Sequence, residues 1–363
     1  MHITLIAGAR PNFIKIAPII HAIHKAKELG ENIDCRLVHT GQHYDKKMSA
    51  TFFEELNIPH PNTNLGCGGG SQAEQTASIL IAFEKELIAN PTDLVLVVGD
   101  VTSTMACAIV AKKLNTKVTH VEAGIRSFDL TMPEEINRMV TDSITDYFFT
   151  TSTNANENLV KSGVNEKNVY FVGNVMIDTL LANKPNFKKP LFFDELQLKE
   201  KEYFVLTMHR PANVDEIEKF RQMMFEIVNN VHQLPVLFPI HPRTAKIIKE
   251  LNLNASNLII VDPLGYLEFN YLVQHSKAVI TDSGGITEET TVMGIPCLTL
   301  RDNTERPETI TLGTNELIGT NPKKIKPGLD KLFAGKWKKG GIPELWDGKT
   351  AERIIDEILI LFK

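Results

Sequence analysis

The chain has 363 residues, 43% of them hydrophobic and 23% charged, which suits two domains of about 150–180 residues better than one core. Its formal net charge is −5, from 39 Lys+Arg against 44 Asp+Glu. That argues against a general nucleic-acid binder, which needs a basic excess, but leaves room for a local anion site. Cys35, Cys67, Cys107 and Cys297 form no CxxC pair, so neither zinc ligation nor a disulfide framework is expected. Reduced thiols in a cytoplasm fit, with Cys107 and Cys297 as core packing. Met1-His2-Ile3-Thr4-Leu5 is already strand-like, with no basic segment before it, so no signal peptide is expected. No apolar run approaches the ~20 residues of a spanning helix.

Short apolar runs then alternate with helical patterns. Ile3–Ala7 leads through Gly8-Ala9-Arg10-Pro11-Asn12 into a helix over Phe13–Leu29. Next come Cys35–His39, a helix over Gln72–Ile88, Leu94–Val98, a helix over Thr102–Leu114, and Val118–Val121. Pro133 opens another helix in its first turn, before Tyr147–Thr151 and Val169–Val172. Asn183–Glu202 carries Pro185, Pro190 and five lysines with little periodicity, and reads as a linker. The second half repeats the scheme: Tyr203–Thr207, a helix over Ile217–Val231, Val236–Ile240, Leu258–Val261, Ala278–Thr281, a helix over Ile286–Val292, and Cys297–Leu300. Lys323–Gly341 reads as surface loop plus a short helix. Lys349–Lys363 is an amphipathic helix with Ile354, Ile355, Ile358, Leu359 and Phe362 as its stripe. The pattern predicts an α/β protein with parallel sheets covered on both faces. Residues 1–180 and 181–349 are the expected domains.

In open α/β sheets, ligands sit outside the carboxyl ends of the strands. Those ends here carry Gly8-Ala9-Arg10 with Lys15, Gly99-Asp100, Glu122-Ala123-Gly124, His209-Arg210, His241-Pro242-Arg243, Asp282-Ser283-Gly284-Gly285 and Arg301-Asp302. Seven charged or small endings on the same edge predict an interdomain cleft.

Ser283-Gly284-Gly285 follows a strand and opens a helix. Two glycines let the backbone approach a ligand, and the free N–H groups and dipole favour phosphate. The plainer alternative is an N-cap by Asp282 or Ser283. Glu289, one turn past Gly285, is placed to accept both hydroxyls of a ribose, so the pair of features suits a nucleoside diphosphate. No GxGxxG and no GxxxxGK[ST] occurs, which disfavours NAD and a P-loop ATPase. Glu134 and Arg138 are spaced to pair on one helix face. Asp100, Glu122 and Glu134, converging on a cleft, would suit acid–base chemistry. His209 and His241 are expected to stabilise a leaving diphosphate. Arg306 is expected to clamp phosphate, or else to pair with Glu305 or Glu308.

Taken together, Gly8-Ala9-Arg10-Pro11 with Lys15, Gly99-Asp100, Val121-Glu122-Ala123-Gly124, Pro133-Glu134-Glu135-Ile136-Asn137-Arg138, His209-Arg210, Asp282-Ser283-Gly284-Gly285-Ile286-Thr287-Glu288-Glu289 and Arg301–Glu308 resemble the non-hydrolysing UDP-N-acetylglucosamine 2-epimerase family. The resemblance runs the length of the chain. It implies a GT-B architecture, two Rossmann-like domains with the last helix, residues 350–363, packing back on the first. It implies interconversion of UDP-GlcNAc and UDP-ManNAc by anti elimination of UDP through a 2-acetamidoglucal, with no metal or other cofactor. It further implies a homodimer and a role in surface-polysaccharide precursor synthesis.

By the same resemblance, Ser283, Gly284 and Gly285 hold the diphosphate and Glu289 the ribose. Arg10, His209 and Arg306 lie near the phosphates and Phe269 beside the uracil. Lys15, Asp100, Glu122, Glu134 and Arg138 form the sugar-side and catalytic set. Members activated by a second UDP-GlcNAc carry two glutamines and an arginine. Here Gln42 is kept, Asp45 replaces the second glutamine and Ser71 the arginine. That speaks against such activation and resembles the branch acting on UDP-2,3-diacetamido-2,3-dideoxyglucuronate. A GT-B glycosyltransferase and a hydrolysing 2-epimerase are the remaining alternatives.

Overall fold

The computed structural model describes residues 1–41, 53–240, 248 and 255–363. The chain divides into two compact units, Met1–Ala182 with Glu344–Lys363, and Asn183–Pro343.

The first unit carries β1 (His2–Ala7), β2 (Asp34–His39), β3 (Thr63–Asn64), β4 (Leu94–Val98), β5 (Lys117–Val121), β6 (Tyr147–Thr150) and β7 (Val169–Phe171). They form one sheet in the order β3-β2-β1-β4-β5-β6-β7. Every pairing is parallel, with Ile3 opposite Leu94 and Val98 opposite Val121. The helices are α1 (Arg10–Glu28), α2 (Gln72–Ala89), α3 (Thr102–Lys113), α4 (Pro133–Ile144), α5 (Thr153–Lys161) and α6 (Val175–Asn183). β4 is buried along its whole length, as a strand covered on both faces must be. On one face Val95 and Val97 pack with Ile79, Phe83 and Leu87 of α2 and Cys107 of α3.

The second unit carries β8 (Phe204–Thr207), β9 (Val236–Pro239), β10 (Leu258–Val261), β11 (Ala278–Thr281), β12 (Cys297–Thr299) and β13 (Asn315–Leu317). Their order is β10-β9-β8-β11-β12-β13, again all parallel. Its longer helices are α7 (Ile217–Asn230), α8 (Tyr266–His275), α9 (Gly284–Met293) and α10 (Ile325–Phe333). The two-residue strand period sorts the core into two layers. Phe204, Leu206 and Ile280 pack with Phe220, Met223 and Met224 of α7 and Leu329 of α10. Val205 and Val279 point the other way, onto Leu272 and Val273 of α8.

The last helix, α11 (Thr350–Leu361), belongs to the first unit and buries Ile354, Ile355 and Ile358. Its start is capped from a distance: Asp178 on α6 accepts the Ala351 N–H at 2.7 Å. Trp346, just before it, is buried and donates to the Thr151 carbonyl at 3.1 Å.

Two features differ from the sequence reading. Asn183–Glu202 is no loose linker: a helical turn at Phe192–Glu195 buries Phe193 and Leu198, with Phe193 edge-on to Tyr203 at 5.8 Å. The edge strands β3 and β13 have two and three residues and no apolar run to announce them. Ser71 has a local duty. It caps α2 by accepting the Glu74 N–H, while the Glu74 carboxylate accepts the Ser71 N–H at 2.8 Å. Gln42 and Asp45 lie outside the described residues.

Candidate active site

Each sheet reverses its strand order once, between β1 and β4 in the first unit and between β8 and β11 in the second. Open sheets of this kind bind ligands outside the carboxyl ends of the strands at such a point.

In the first unit, Asn12 ties the reversal point together. Its amide oxygen accepts the Gly8 and Ala9 N–H groups at 3.0 and 2.9 Å, and its nitrogen donates to the Val98 carbonyl at 3.1 Å. One turn along α1, Lys15 reaches over Gly99 to Glu122, with Nζ 2.7 Å from Oε2. Gly99 has φ +66°, and a Cβ there would lie 2.8 Å from the Lys15 Nζ, so a larger residue would displace the ammonium. Glu122 is buried and sits at φ +70°. A non-glycine residue in that region costs of order 1–3 kcal/mol and is held by its surroundings. Gly124 is part of that hold, because a Cβ there would come within 2.3 Å of the Ala155 carbonyl.

Asp100 follows Gly99 and is taken by Arg138 of α4, with Nε and Nη2 at 3.1 and 2.5 Å from Oδ2. The Asn137 amide donates to the Asp100 carbonyl at 2.9 Å. The expected Glu134–Arg138 pair is not what forms. Glu134 is exposed, and the second partner of Arg138 is Glu135, 2.7 Å away. The first turn of α4 turns Glu135, not Glu134, inward. There Glu135 also accepts the Ser127 and Phe128 N–H groups at 2.9 and 3.0 Å. Burial alone would raise its carboxyl, but these amides and the Arg138 guanidinium hold it below the usual range.

In the second unit, Asp282 directly follows β11 and is fully buried. It accepts the N–H groups of His209 and Arg210 at 3.0 and 2.9 Å and the Asn213 amide at 3.1 Å. His209 Nδ1 lies 2.8 Å from its Oδ1, while the ring is 62% exposed. Burial would raise the Asp282 carboxyl, yet His209 and these donors hold it low. An ionised carboxylate on Nδ1 leaves Nε2 as the ring's outward-facing nitrogen. Asp282 is thus an orienting residue, a role the sequence reading missed when it considered only capping. Its signal was a carboxylate closing a strand beside the end of another.

The helix start is open-handed: Ser283 is the N-cap residue of α9 and its side chain makes no cap bond. A Cβ on Gly284 would meet the Glu305 Oε1 at 3.0 Å. Glu305 in turn binds Arg301 at 2.5 Å and approaches Arg210 at 3.6 Å. Arg306 is buried and pairs with Glu288 of α9 at 2.6 Å, a partner neither expected alternative named. Glu289 is buried one turn past Gly285 and accepts the Tyr266 hydroxyl at 2.9 Å. Burial pushes its carboxyl up to about 7, against the pull of Tyr266 and Asn270. Phe269 lies half-buried on α8, on the same helix as Tyr266. Arg10 opens α1, its side chain outside the description, and His241 lies outside the described residues. Cys107 and Cys297 are buried core residues. Among the described residues no three His, Cys, Asp or Glu gather as a metal site, and no helix is long and apolar enough to cross a membrane.

Comparison with known proteins adds the family. The model of the UDP-N-acetylglucosamine 2-epimerase family matches residues 25–359. A UDP-N-acetylglucosamine 2-epimerase of Methanocaldococcus jannaschii is 42% identical, covering 98% of both chains. A UDP-2,3-diacetamido-2,3-dideoxy-D-glucuronate 2-epimerase of Pseudomonas aeruginosa is 40% identical, covering 88% of both. Among solved structures, the M. jannaschii UDP-GlcNAc 2-epimerase in complex with UDP-GlcNAc and UDP superposes with a TM-score of 0.90 at 40% identity, covering 99% of this chain and 100% of that one. The two Rossmann-like units are those of the GT-B class.

Proposed function

The chain belongs to the UDP-N-acetylglucosamine 2-epimerase family, and from that premise we propose that it inverts C2 of a UDP-N-acetyl sugar, converting UDP-GlcNAc to UDP-ManNAc. The observation that carries this reading is the pair of carboxylates beside one strand-order reversal, the buried Glu122 on Lys15 and the partly buried Asp100 on Arg138.

The chemistry divides between the units. In the second, Ser283, Gly284 and Gly285 offer helix-start N–H groups to the diphosphate, and Glu289 accepts the ribose hydroxyls. His209, oriented by Asp282, turns Nε2 toward a phosphate oxygen and stabilises the charge that grows as the C1–O bond breaks. Arg306 serves by anchoring Glu288 of α9. In the first unit, a carboxylate takes the C2 proton. The C2–H electrons become the C1=C2 bond of a 2-acetamidoglucal, and UDP departs with the C1–O pair. Re-addition reverses each step, with the proton delivered to the other face of C2. Two faces require two positioned groups, drawn from Asp100, Glu122 and Glu134. Lys15 and Arg138 hold Glu122 and Asp100 in place. Arg10, His241 and Phe269 complete the nucleotide contacts.

Turnover in deuterium oxide tests this directly: NMR should show deuterium at C2 of both UDP-sugars. Absence of deuterium at C2 during turnover would sink the epimerase reading, and free ManNAc with UDP would indicate a hydrolase. The P. aeruginosa relative favours a second reading, with the diacetamido uronate as substrate. A panel of both sugars, with and without added UDP-GlcNAc, separates the two.

A further inference from the structure

His120, the fourth residue of β5, is completely buried. Oxygens face both of its nitrogens: Nδ1 is 2.7 Å from Asp142 Oδ1 and Nε2 is 2.8 Å from the Gly99 carbonyl. A peptide carbonyl only accepts. Asp142, on α4, is held ionised. Burial would raise its carboxyl, and the always-charged Arg126 guanidinium is among the groups that hold it low. Its other oxygen is occupied by Arg126 Nη1 at 2.6 Å and the Gly124 N–H at 3.1 Å. A neutral imidazole has one donor and one acceptor nitrogen. Either tautomer would set a lone pair against one of these oxygens in a fully buried place, where such a mismatch is not offset by water.

We propose that His120 is held as a buried imidazolium, and that with Asp142 and Arg126 it forms a positioning hub that fixes the spacing of Asp100 and Glu122. The connections support this. His120 Nε2 grips the Gly99 carbonyl, one residue before Asp100. The Gly99 N–H donates to the Val121 carbonyl at 3.1 Å, one residue before Glu122. Asp142 is one turn beyond Arg138 on α4, and Arg138 holds the Asp100 carboxylate. The Gly124 N–H pins the far side of the Glu122 turn to the same Asp142. Three segments that carry the proposed proton-transfer groups thus converge on one charged cluster. Around it, α1 contributes Lys15 and α4 contributes Glu135 and Arg138. Replacing such a cluster by apolar residues generally costs little stability, so the use we assign it is geometric. His120 touches no reacting atom and acts through Asp100 and Glu122.

The catalytic half of this inference rests on the epimerase reading; the protonation half does not. Two experiments keep them apart. In the full chain labelled with ring-15N histidine, long-range proton–nitrogen NMR at neutral pH should show one histidine with both nitrogens protonated. It is assigned by its loss in His120→Gln, or by its shift in Arg126→Lys should the first variant not fold. A neutral tautomer at that position overturns the imidazolium. Kinetically, His120→Gln and Asp142→Asn should lower kcat and C2 deuterium exchange about 100-fold, the cost of a misplacement near 1 Å. KM and UDP affinity should stay within about threefold. Wild-type exchange in folded His120→Gln overturns the positioning role. Failure of the wild type itself to exchange at C2 would instead defeat the epimerase reading, with the NMR result still standing.

Discussion

Where β1 and β4 end, the first unit gathers cations already matched to carboxylates, Lys15 to Glu122 and Arg138 to Asp100 and Glu135. Where β8 and β11 end, the second unit offers an exposed histidine on a buried aspartate, two glycines and an uncapped helix start. The strand order around the two points is the same. The difference lies in what the loops do with charge. The first unit pairs Lys15 and Arg138 with the carboxylates that we propose move protons. The second also pairs Arg301 with Glu305 and Arg306 with Glu288, yet keeps the His209 ring exposed and the helix start without a side-chain cap, as binding an anion requires. One topology would thus serve the two chemistries we propose, because the sheet fixes only where the loops emerge.

This contrast is open to breakage from either side. Glu122→Gln removes a proton-transfer group without touching the second unit, so C2 deuterium exchange should fall about 10²–10⁴-fold, while UDP affinity by calorimetry stays unchanged. An equal loss of UDP affinity would mean the two regions do not divide the work. Gly284→Ala attacks the other side. Its Cβ would sit 3.0 Å from the Glu305 Oε1, where the diphosphate is expected. Losing one charge-assisted hydrogen bond, worth about 1.5–3 kcal/mol, should weaken UDP tenfold or more. The thermal midpoint should barely move, since alanine suits a helix better than glycine.

The smallest expected effect is a pH dependence peculiar to the second unit. Burial pushes the Glu289 carboxyl from its ordinary value near 4.5 up to about 7. Between those values the folded chain binds more protons than the unfolded one, so this group's contribution to stability falls as pH rises. Ribose hydroxyls donate to the ionised form. UDP affinity should therefore weaken roughly tenfold between pH 8 and pH 6, and Glu289→Gln should flatten that slope. A slope that survives Glu289→Gln would assign the titration to another group.

The contrast itself was only half legible beforehand. Strand positions could be read because a strand buried on both faces is a continuous apolar run, and Leu94–Val98 and Ala278–Thr281 fall where the runs place them. The helix start at Ser283-Gly284-Gly285 was visible for a related reason: caps and glycine turns are local chemistry. The edge strands β3 and β13 were not visible, since their register comes from a neighbour and not from their own residues.

The amino-acid sequence by itself determined the alternation of elements, the α/β class and the residues that crowd the carboxyl ends of the strands. Tertiary structure alone decided who meets whom there. Arg138 could have paired with Glu134 four residues back. It takes instead Asp100, 38 residues away, and Glu135. Asp282 could have been a cap, yet it orients His209, 73 residues before it. Glu289 looked free for a ribose, yet it already holds Tyr266. Local preferences are set by neighbours within a turn of the chain. A buried charge chooses its partner only when the sheet has brought distant strand ends together, and that choice lies beyond any pattern of spacing.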